Sequence, residues 1–121
     1  MVGWFEIPVT DMERAKTFYE VVFDISISLH ELDGFVMGWF PMNNGANMAT
    51  GSLVQHEMHR PSATHGTLIY FSCKDLSQEL NRVVAAGGTI VKEKSEIGDG
   101  HGFMALFQDS EGNRIALHSR Q

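Results

Sequence analysis

The sequence predicts an α+β fold made of two βαβββ modules, which form a curved mixed sheet with the helices on its outer face. The main observation is an internal repeat. Residues 5–12 and 69–76 both contain a short alternating apolar run that ends at an Asp and is followed by a helical pattern. A second pair of matching segments, 40–45 and 107–112, follows later in the two halves, and in each of them a predicted strand ends at a turn. Such a repeat indicates two copies of one supersecondary unit that cannot bury its apolar face alone.

The 121 residues are predicted to form one domain, with module one at 1–55, a connector at 56–65 and module two at 66–121. This length is sufficient for a core without disulfides or structural metals. The net charge of −6 argues against nucleic acid and anionic membranes as partners. The sequence shows neither an apolar leader after a charged start nor an apolar run of membrane-spanning length, so we expect a cytoplasmic protein.

Module one begins with a strand over residues 2–9, where apolar side chains alternate with others. Asp11 is a favourable N-cap, and apolar residues recur at helical spacing over 12–23, which predicts a helix there. The rest of the module is predicted to form three strands and two turns: strands at Ile25–His30, Phe35–Phe40 and Met48–Gln55, and turns at Asp33-Gly34 and Asn43–Gly45.

Module two repeats this order. Thr67–Cys73 is predicted to be a strand, and Asp75 is the predicted N-cap of a helix over Leu76–Ala86. Gly87 follows the helix where a positive φ is needed, so it is the predicted end of that helix. Three further strands complete the module, at Thr89–Lys94, Phe103–Gln108 and Asn113–Ser119.

Several stretches resemble the vicinal oxygen chelate superfamily, which includes glyoxalase I, bleomycin-resistance proteins and extradiol dioxygenases. They are Val9–Ala15 with the following Phe18-Tyr19, Val83–Gly88 and Phe107–Leu117. The opening Trp4–Val9 is also similar to predicted enzymes related to lactoylglutathione lyase. The resemblance implies a small-molecule cleft lined by the sheet. It also implies a homodimer, because this family commonly completes each cleft with modules from two subunits.

In that family, four sheet positions usually present His, Glu or Gln to one divalent metal, two from each module. The resemblance places three of these positions on Trp4, Leu68 and Ala116, and the fourth between Met48 and Gln55, a span without His, Asp or Glu. Indole, isobutyl and methyl groups cannot supply the nitrogen or oxygen donors that such an ion needs at about 2.0–2.2 Å. The usual metal site is therefore predicted to be lost, and no cofactor is expected.

The same positions locate the predicted cleft, because residues two apart on a strand share a face. The predicted ligand-binding residues are Trp4, Glu6, Leu68, Tyr70, Ser72, His101, Ala116 and His118. Glu6 and His118 are the candidate catalytic residues, since a carboxylate and an imidazole can form a general acid–base pair. The alternatives are a buried hydrogen-bonded pair without a catalytic role and, for His118, a solvated side chain. Trp4 and Trp39 can stack on a planar or cationic ligand, but for Trp39 core or dimer-interface packing is the favoured prediction.

The connector contains His56, Glu57, His59 and His65, a density that also suggests a metal site. The spacing of its histidines is one residue shorter than in the His-Glu-x-x-His helix of metalloproteases, and the segment has a loop composition. The alternative to a metal site is that these connector side chains are simply solvated. The single Cys73 is predicted to act as a small buried hydrophobe, because no nearby residue would lower its pKa.

The predicted function is binding or sequestration of a small organic molecule without a metal, as in antibiotic resistance. The alternative is a glyoxalase-related lyase or isomerase. Such an enzyme would use the Glu6 and His118 pair, or a metal rebuilt on histidines at 56, 59, 101 or 118. A module that binds a peptide or protein partner has no sequence feature in its favour.

Overall fold

The computed structural model describes residues 2–42 and 50–121. Their helices and strands follow the order β1 (Trp4–Pro8), α1 (Met12–Phe23), β2 (Ser28–Leu32), β3 (Phe35–Trp39), β4 (Thr50–Gln55), β5 (Ile69–Ser72), α2 (Leu76–Ala86), β6 (Thr89–Glu96), β7 (Phe103–Gln108) and β8 (Arg114–Ser119). The strands form two four-stranded sheets, in the orders β1-β4-β3-β2 and β5-β8-β7-β6. In each sheet the first strand pairs parallel with the last, and the other pairs are antiparallel. The predicted α+β class and the two βαβββ modules are therefore confirmed.

Both helices begin and end at the predicted residues. The side chain of Asp11 accepts a hydrogen bond from the backbone N–H of Arg14 at 3.1 Å, and Asp75 accepts one from Ser77 at 3.0 Å. Each carboxylate satisfies a donor that has no partner inside its helix. Gly87 ends α2 with a φ of 108°, a conformation that costs glycine little because it has no Cβ.

Strand β2 begins at Ser28, three residues after the predicted start. The reason is that the residues after α1 are hydrogen-bonded back to the helix. Asp24 takes a left-handed conformation with φ 53°, and the backbone N–H of Ile27 donates to the Glu20 carboxylate at 2.8 Å. The left-handed turn at Asp24 and the bond from the Ile27 N–H prevent these residues from pairing with a neighbouring strand, so β2 starts only after them.

The remaining strand boundaries differ from the predictions by a few residues. β6 continues to Glu96, two residues beyond its predicted end, while β5 is limited to Ile69–Ser72. The predicted turn at 43–45 and the first two residues of the predicted strand Met48–Gln55 lie outside the described residues.

The core lies where the two modules meet. Each helix packs on the sheet of its own module, and the two helices contact each other. The Tyr19 hydroxyl of α1 donates to the buried Asp109 at 2.6 Å, and the Phe5 ring meets the edge of Phe71 at 5.8 Å. Because these contacts cross from one module to the other, neither helix is covered by its own sheet alone.

Each sheet also has a face that its helix does not cover, here called the helix-free face. In β1, Phe5 and Ile7 belong to the core, so the alternation of the strand sends Trp4 and Glu6 to the helix-free face. None of the described helices is long and apolar enough to cross a membrane.

Candidate functional site

A row of polar and aromatic side chains crosses the helix-free face of the first sheet. The strand register pairs Glu6 of β1 with Ser52 of β4, Ser52 with Trp39 of β3, and Trp39 with Ser28 of β2. Directly paired residues have side chains on the same face of a sheet. These residues therefore form one continuous surface across all four strands.

Three rings on this surface form an aromatic cluster of Trp4, His30 and Trp39. The edge of one indole meets the face of the other, with ring centroids 5.9 Å apart and planes at 82°. The His30 ring stacks on Trp39 at 3.8 Å, and its Nε2 lies 3.1 Å from the Ser28 hydroxyl. Trp4 remains 37% exposed, so the cluster is accessible from solvent.

Two polar atoms beneath this cluster have no hydrogen-bond partner among the described residues. They are the indole Nε1 of Trp39 and the hydroxyl of Ser52, and both are buried. A buried polar group without a partner costs about 1–3 kcal/mol. Both atoms are closed to solvent in the free protein, and an indole N–H is a donor only, so an acceptor oxygen would offset the cost at Nε1 once a covering side chain moves aside.

Glu6 and His118 lie on different sheets and have different partners. The Glu6 carboxylate lies 3.3 Å from Nε2 of His59 in the connector. His118 Nε2 donates to the backbone carbonyl of His101 at 2.7 Å. Among the described residues, no hydrogen bond joins Glu6 to His118.

The histidines of the connector also have identifiable neighbours. The His56 ring stacks on Phe35 at 4.1 Å, and its Nδ1 accepts from the backbone N–H of Met58 at 3.1 Å. His65 Nδ1 lies 2.7 Å from the Thr64 hydroxyl. Over residues 2–42 and 50–121, no group of three or more His, Cys, Asp or Glu side chains is arranged to hold a metal ion.

The other predicted cleft residues belong to the second sheet, where Tyr70 pairs with Ala116 and Ser72 with His118. Ala116 is buried, whereas Tyr70 and Ser72 are exposed at the outer strand β5. Leu68, Tyr70 and Ser72 line a cavity of about 680 Å³ that also reaches the helix-covered side of both modules. Its other walls come from residues that sequence reasoning did not select, namely Val2, Phe5, Phe23, Ile25, Phe40, Pro41, Thr50, Thr67, Ile69, Phe71 and Glu79.

The resemblance implies a fourth metal-binding position on β4, and the strand register indicates which residue occupies it. Ser52 stands opposite Glu6, and Ala116 stands opposite Tyr70. Since Glu6 and Tyr70 occupy equivalent places in the repeat, Ser52 is the counterpart of Ala116. The four positions thus carry Trp4, Ser52, Leu68 and Ala116. One neutral hydroxyl is the only metal donor in this set, so these side chains do not fit a divalent ion.

Trp39, His30 and Ser52 are the main residues of this surface that the sequence did not assign to the predicted cleft. Period-two alternation in β3 was sufficient to put Trp39 on the helix-free face, because Gly38 and Phe40 belong to the buried side. Ser52 and His30 required the register of β4 and β2. Short strands of mixed polarity leave that register open in the sequence.

Cys73 lies beside α2, where its thiol donates to the Phe71 carbonyl at 3.7 Å. Burial first, and then the charge of Glu79, raise the pKa of the Cys73 thiol from 9.0 to about 12. The thiolate is the reactive form, so the thiolate population at pH 8 falls about a thousandfold. We expect Ellman's reagent to label the folded protein at least about a hundredfold more slowly than protein unfolded in guanidinium chloride. Equal rates would show that the thiol is not shielded.

A sequence profile of the glyoxalase/bleomycin resistance protein/dioxygenase superfamily matches residues 1–117. Among solved structures, an enzyme of that family from Burkholderia phytofirmans is 16% identical with a TM-score of 0.71, over 98% of both chains. The antibiotic-binding protein TnmS3 from a Streptomyces species is 23% identical with a TM-score of 0.67, over 98% of this chain and 94% of its own. Glyoxalase I from Zea mays is 14% identical with a TM-score of 0.71 over 97% of this chain. The present chain covers only 45% of that enzyme. No curated protein sequence matches the chain.

Proposed function

Because this chain belongs to the glyoxalase/bleomycin resistance protein/dioxygenase superfamily, we propose that it binds a small aromatic molecule without a metal ion. The binding surface is the helix-free face of the first sheet, around the aromatic cluster. One observation carries the proposal: this face presents stacked rings and two unpaired buried polar atoms in place of metal-binding side chains.

The side chains at the four positions that usually hold the metal in this family, namely Trp4, Ser52, Leu68 and Ala116, support binding without a metal. Indole, isobutyl and methyl groups offer no lone pair to an ion, and the hydroxyl of Ser52 is a single neutral donor. Borderline divalent ions need three or four nitrogen, sulfur or carboxylate donors that converge on one point. A metal-dependent reaction is therefore not part of the proposed function.

The chemistry of the aromatic cluster supports a planar ligand with a carbonyl or similar acceptor. A flat ring can lie against Trp4 or Trp39 in an offset or edge-on arrangement, which contributes about 0.5–1.5 kcal/mol beyond the area it buries. An acceptor oxygen at the rim of the ligand can accept from the Trp39 indole N–H. The antibiotic-binding protein TnmS3 has the same fold at nearly the same length, so this fold is compatible with binding of a small organic molecule.

We further propose that two chains associate, with the second sheet of one subunit covering the first sheet of the other. Three large side chains on the helix-free faces support this arrangement. Trp4 is 37% exposed, Leu32 50% and Tyr70 51%. A partner subunit would bury this apolar surface and would bring a second wall to the aromatic cluster.

Calorimetry with soluble anthraquinones tests the proposed function, since these ligands are planar and carry carbonyl acceptors. We expect binding that EDTA does not change, and protein purified without chelators should contain less than one divalent ion per chain. Trp39→Phe keeps a ring but removes the N–H, so affinity should fall about five- to tenfold. Ser52→Ala should also weaken binding, whereas Ser26→Ala, at an exposed loop position, should not.

Three outcomes would contradict the proposal. The first is one tightly held metal ion per chain, and the second is anthraquinone binding that requires an added divalent ion. The third is unchanged affinity in Trp39→Phe and Ser52→Ala together. Light scattering on the same samples should give the mass of two chains, and the mass of one chain would contradict the proposed association.

A further inference from the structure

The cavity of about 680 Å³ beside β5 is separate from the aromatic cluster, and its walls have a distinctive composition. Four Phe rings and Tyr70 line it. Glu79 of α2 is the only charged side chain among the described residues that line it. The volume falls within the range of about 300–1,000 Å³ that is usual for small-molecule sites.

The Glu79 carboxylate lies in the first turn of α2, beside the Cys73 thiol, whose pKa is raised by burial and then by this carboxylate. Its Oε1 is buried and has no hydrogen-bond partner among the residues at 2–42 and 50–121. No Lys, Arg or His belongs to the described walls of the cavity. A cation in the cavity would therefore meet a carboxylate whose charge no basic side chain of the described walls offsets, and the pairing would stabilise the bound cation.

The aromatic walls favour the same kind of occupant. The face of a phenyl or phenol ring attracts a cation within about 6 Å, and the attraction increases when water is excluded. Phe23 and Phe71 pack with their centroids 4.6 Å apart, and Phe40 lies 5.6 Å from Phe71, so the walls form a continuous aromatic surface. We propose that this cavity binds a small apolar organic ammonium ion, whose charged group pairs with Glu79 and whose apolar body contacts the Phe rings.

This site differs in place and in ligand chemistry from the surface around Trp39. Its ligand would be a cation recognised by a carboxylate, whereas the other ligand is recognised through an indole N–H. Neither Trp39 nor Ser52 lines the cavity. The two proposals can therefore fail independently.

Calorimetry with 2-phenylethylammonium chloride and 2-phenylethanol at pH 7 tests the assignment, because the two ligands differ only in the charged group. We expect wild-type protein to bind the ammonium ion at least about tenfold more tightly than the alcohol, the effect of one charge-assisted hydrogen bond. Glu79→Gln should remove this preference. Glu93→Gln changes the net charge equally at an exposed position outside the cavity and should retain it.

Equal affinity of wild-type protein for the two ligands, or no binding of the ammonium ion, would overturn the proposal without any variant. A preference that survives in a folded Glu79→Gln protein would overturn it as well. Ser52→Ala should bind the ammonium ion as wild type does. Loss of ammonium binding in that variant would place the ligand at the surface around Trp39 and would also contradict the assignment.

Discussion

Replacing Glu111 with alanine is expected to lower the free energy of unfolding by about 3 kcal/mol. The Glu111 side chain is 0% exposed and joins the turn after β7 to the start of α1. Its Oε1 accepts from the backbone N–H groups of Thr10 and Asp11, both at 2.9 Å, and its Oε2 accepts from Arg14 Nε at 2.7 Å. The variant loses these bonds between the modules together. The Arg14 side chain is 52% exposed, so water can solvate the charge that remains.

Urea denaturation at pH 7 measures this effect, with Glu93→Gln as a control at an exposed position. Arg14→Ala should have a smaller effect than Glu111→Ala, because the backbone donors at the start of α1 still reach the carboxylate. A change below about 0.5 kcal/mol in Glu111→Ala, the range of ordinary surface substitutions, would show that this contact does not hold the modules together.

The contribution of Glu111 is also expected to depend on pH. Burial alone would raise the pKa of this carboxyl, but hydrogen bonds, the largest from Arg14, outweigh burial and lower the pKa from 4.5 to about 2. The folded protein therefore holds the proton less tightly than the unfolded chain does, and the stabilisation is complete above about pH 4.5. It should disappear as the pH falls from 4.5 towards 2. The difference between wild type and Glu111→Ala should shrink over that range, and a constant difference would contradict the assigned cause.

Gly51→Ala is expected to destabilise the protein by about 2–3 kcal/mol, through overpacking between β1 and β4. Gly51 pairs with Phe5 across these parallel strands. A Cβ at this position would overlap the Phe5 backbone carbonyl and would lie 2.6 Å from Cγ of its ring. The carbonyl cannot rotate away as a side chain can, so the strands would have to separate.

Gly3→Ala is the matched control, because a Cβ at Gly3 meets no atom within 4 Å. That variant should be neutral, or more stable by a few tenths of a kcal/mol through the lower entropy of its unfolded chain. Thermal unfolding of the three proteins measures the comparison. Similar melting temperatures for Gly51→Ala and wild type would show that β1 and β4 can move apart without cost. Because β1 carries Trp4 and Glu6, the Gly51 variant should also bind the aromatic ligand less tightly.

The parts of the fold that depend on neighbouring residues could be predicted from the sequence. Asp11 and Asp75 cap their helices through donors two or three residues away, and Gly87 ends α2 through its own φ. The start of β2 could not be predicted in the same way. It depends on a bond from Ile27 to Glu20, seven residues earlier, which competes with strand pairing.

For the candidate site, the sequence predicted a cleft on one face of the strands, and the family resemblance implied the side chains at three of the four usual metal positions. The repeat supplied equivalent positions in both modules, and period-two alternation placed Trp4 and Glu6 on one face. The repeat and the alternation need only local geometry, whereas the metal positions rest on the resemblance. None of these predictions depends on which strand lies next to which.

Only the tertiary structure decided the contacts between distant residues. The register of β4 placed Ser52 between Glu6 and Trp39, and the packing of the modules brought Glu79 into an aromatic cavity. Glu6 met His59, and His118 met the carbonyl of His101, through the paths of the connector and the β6–β7 loop. A one-residue change of register would send each strand side chain to the opposite face, and no local pattern sets the register of such short strands.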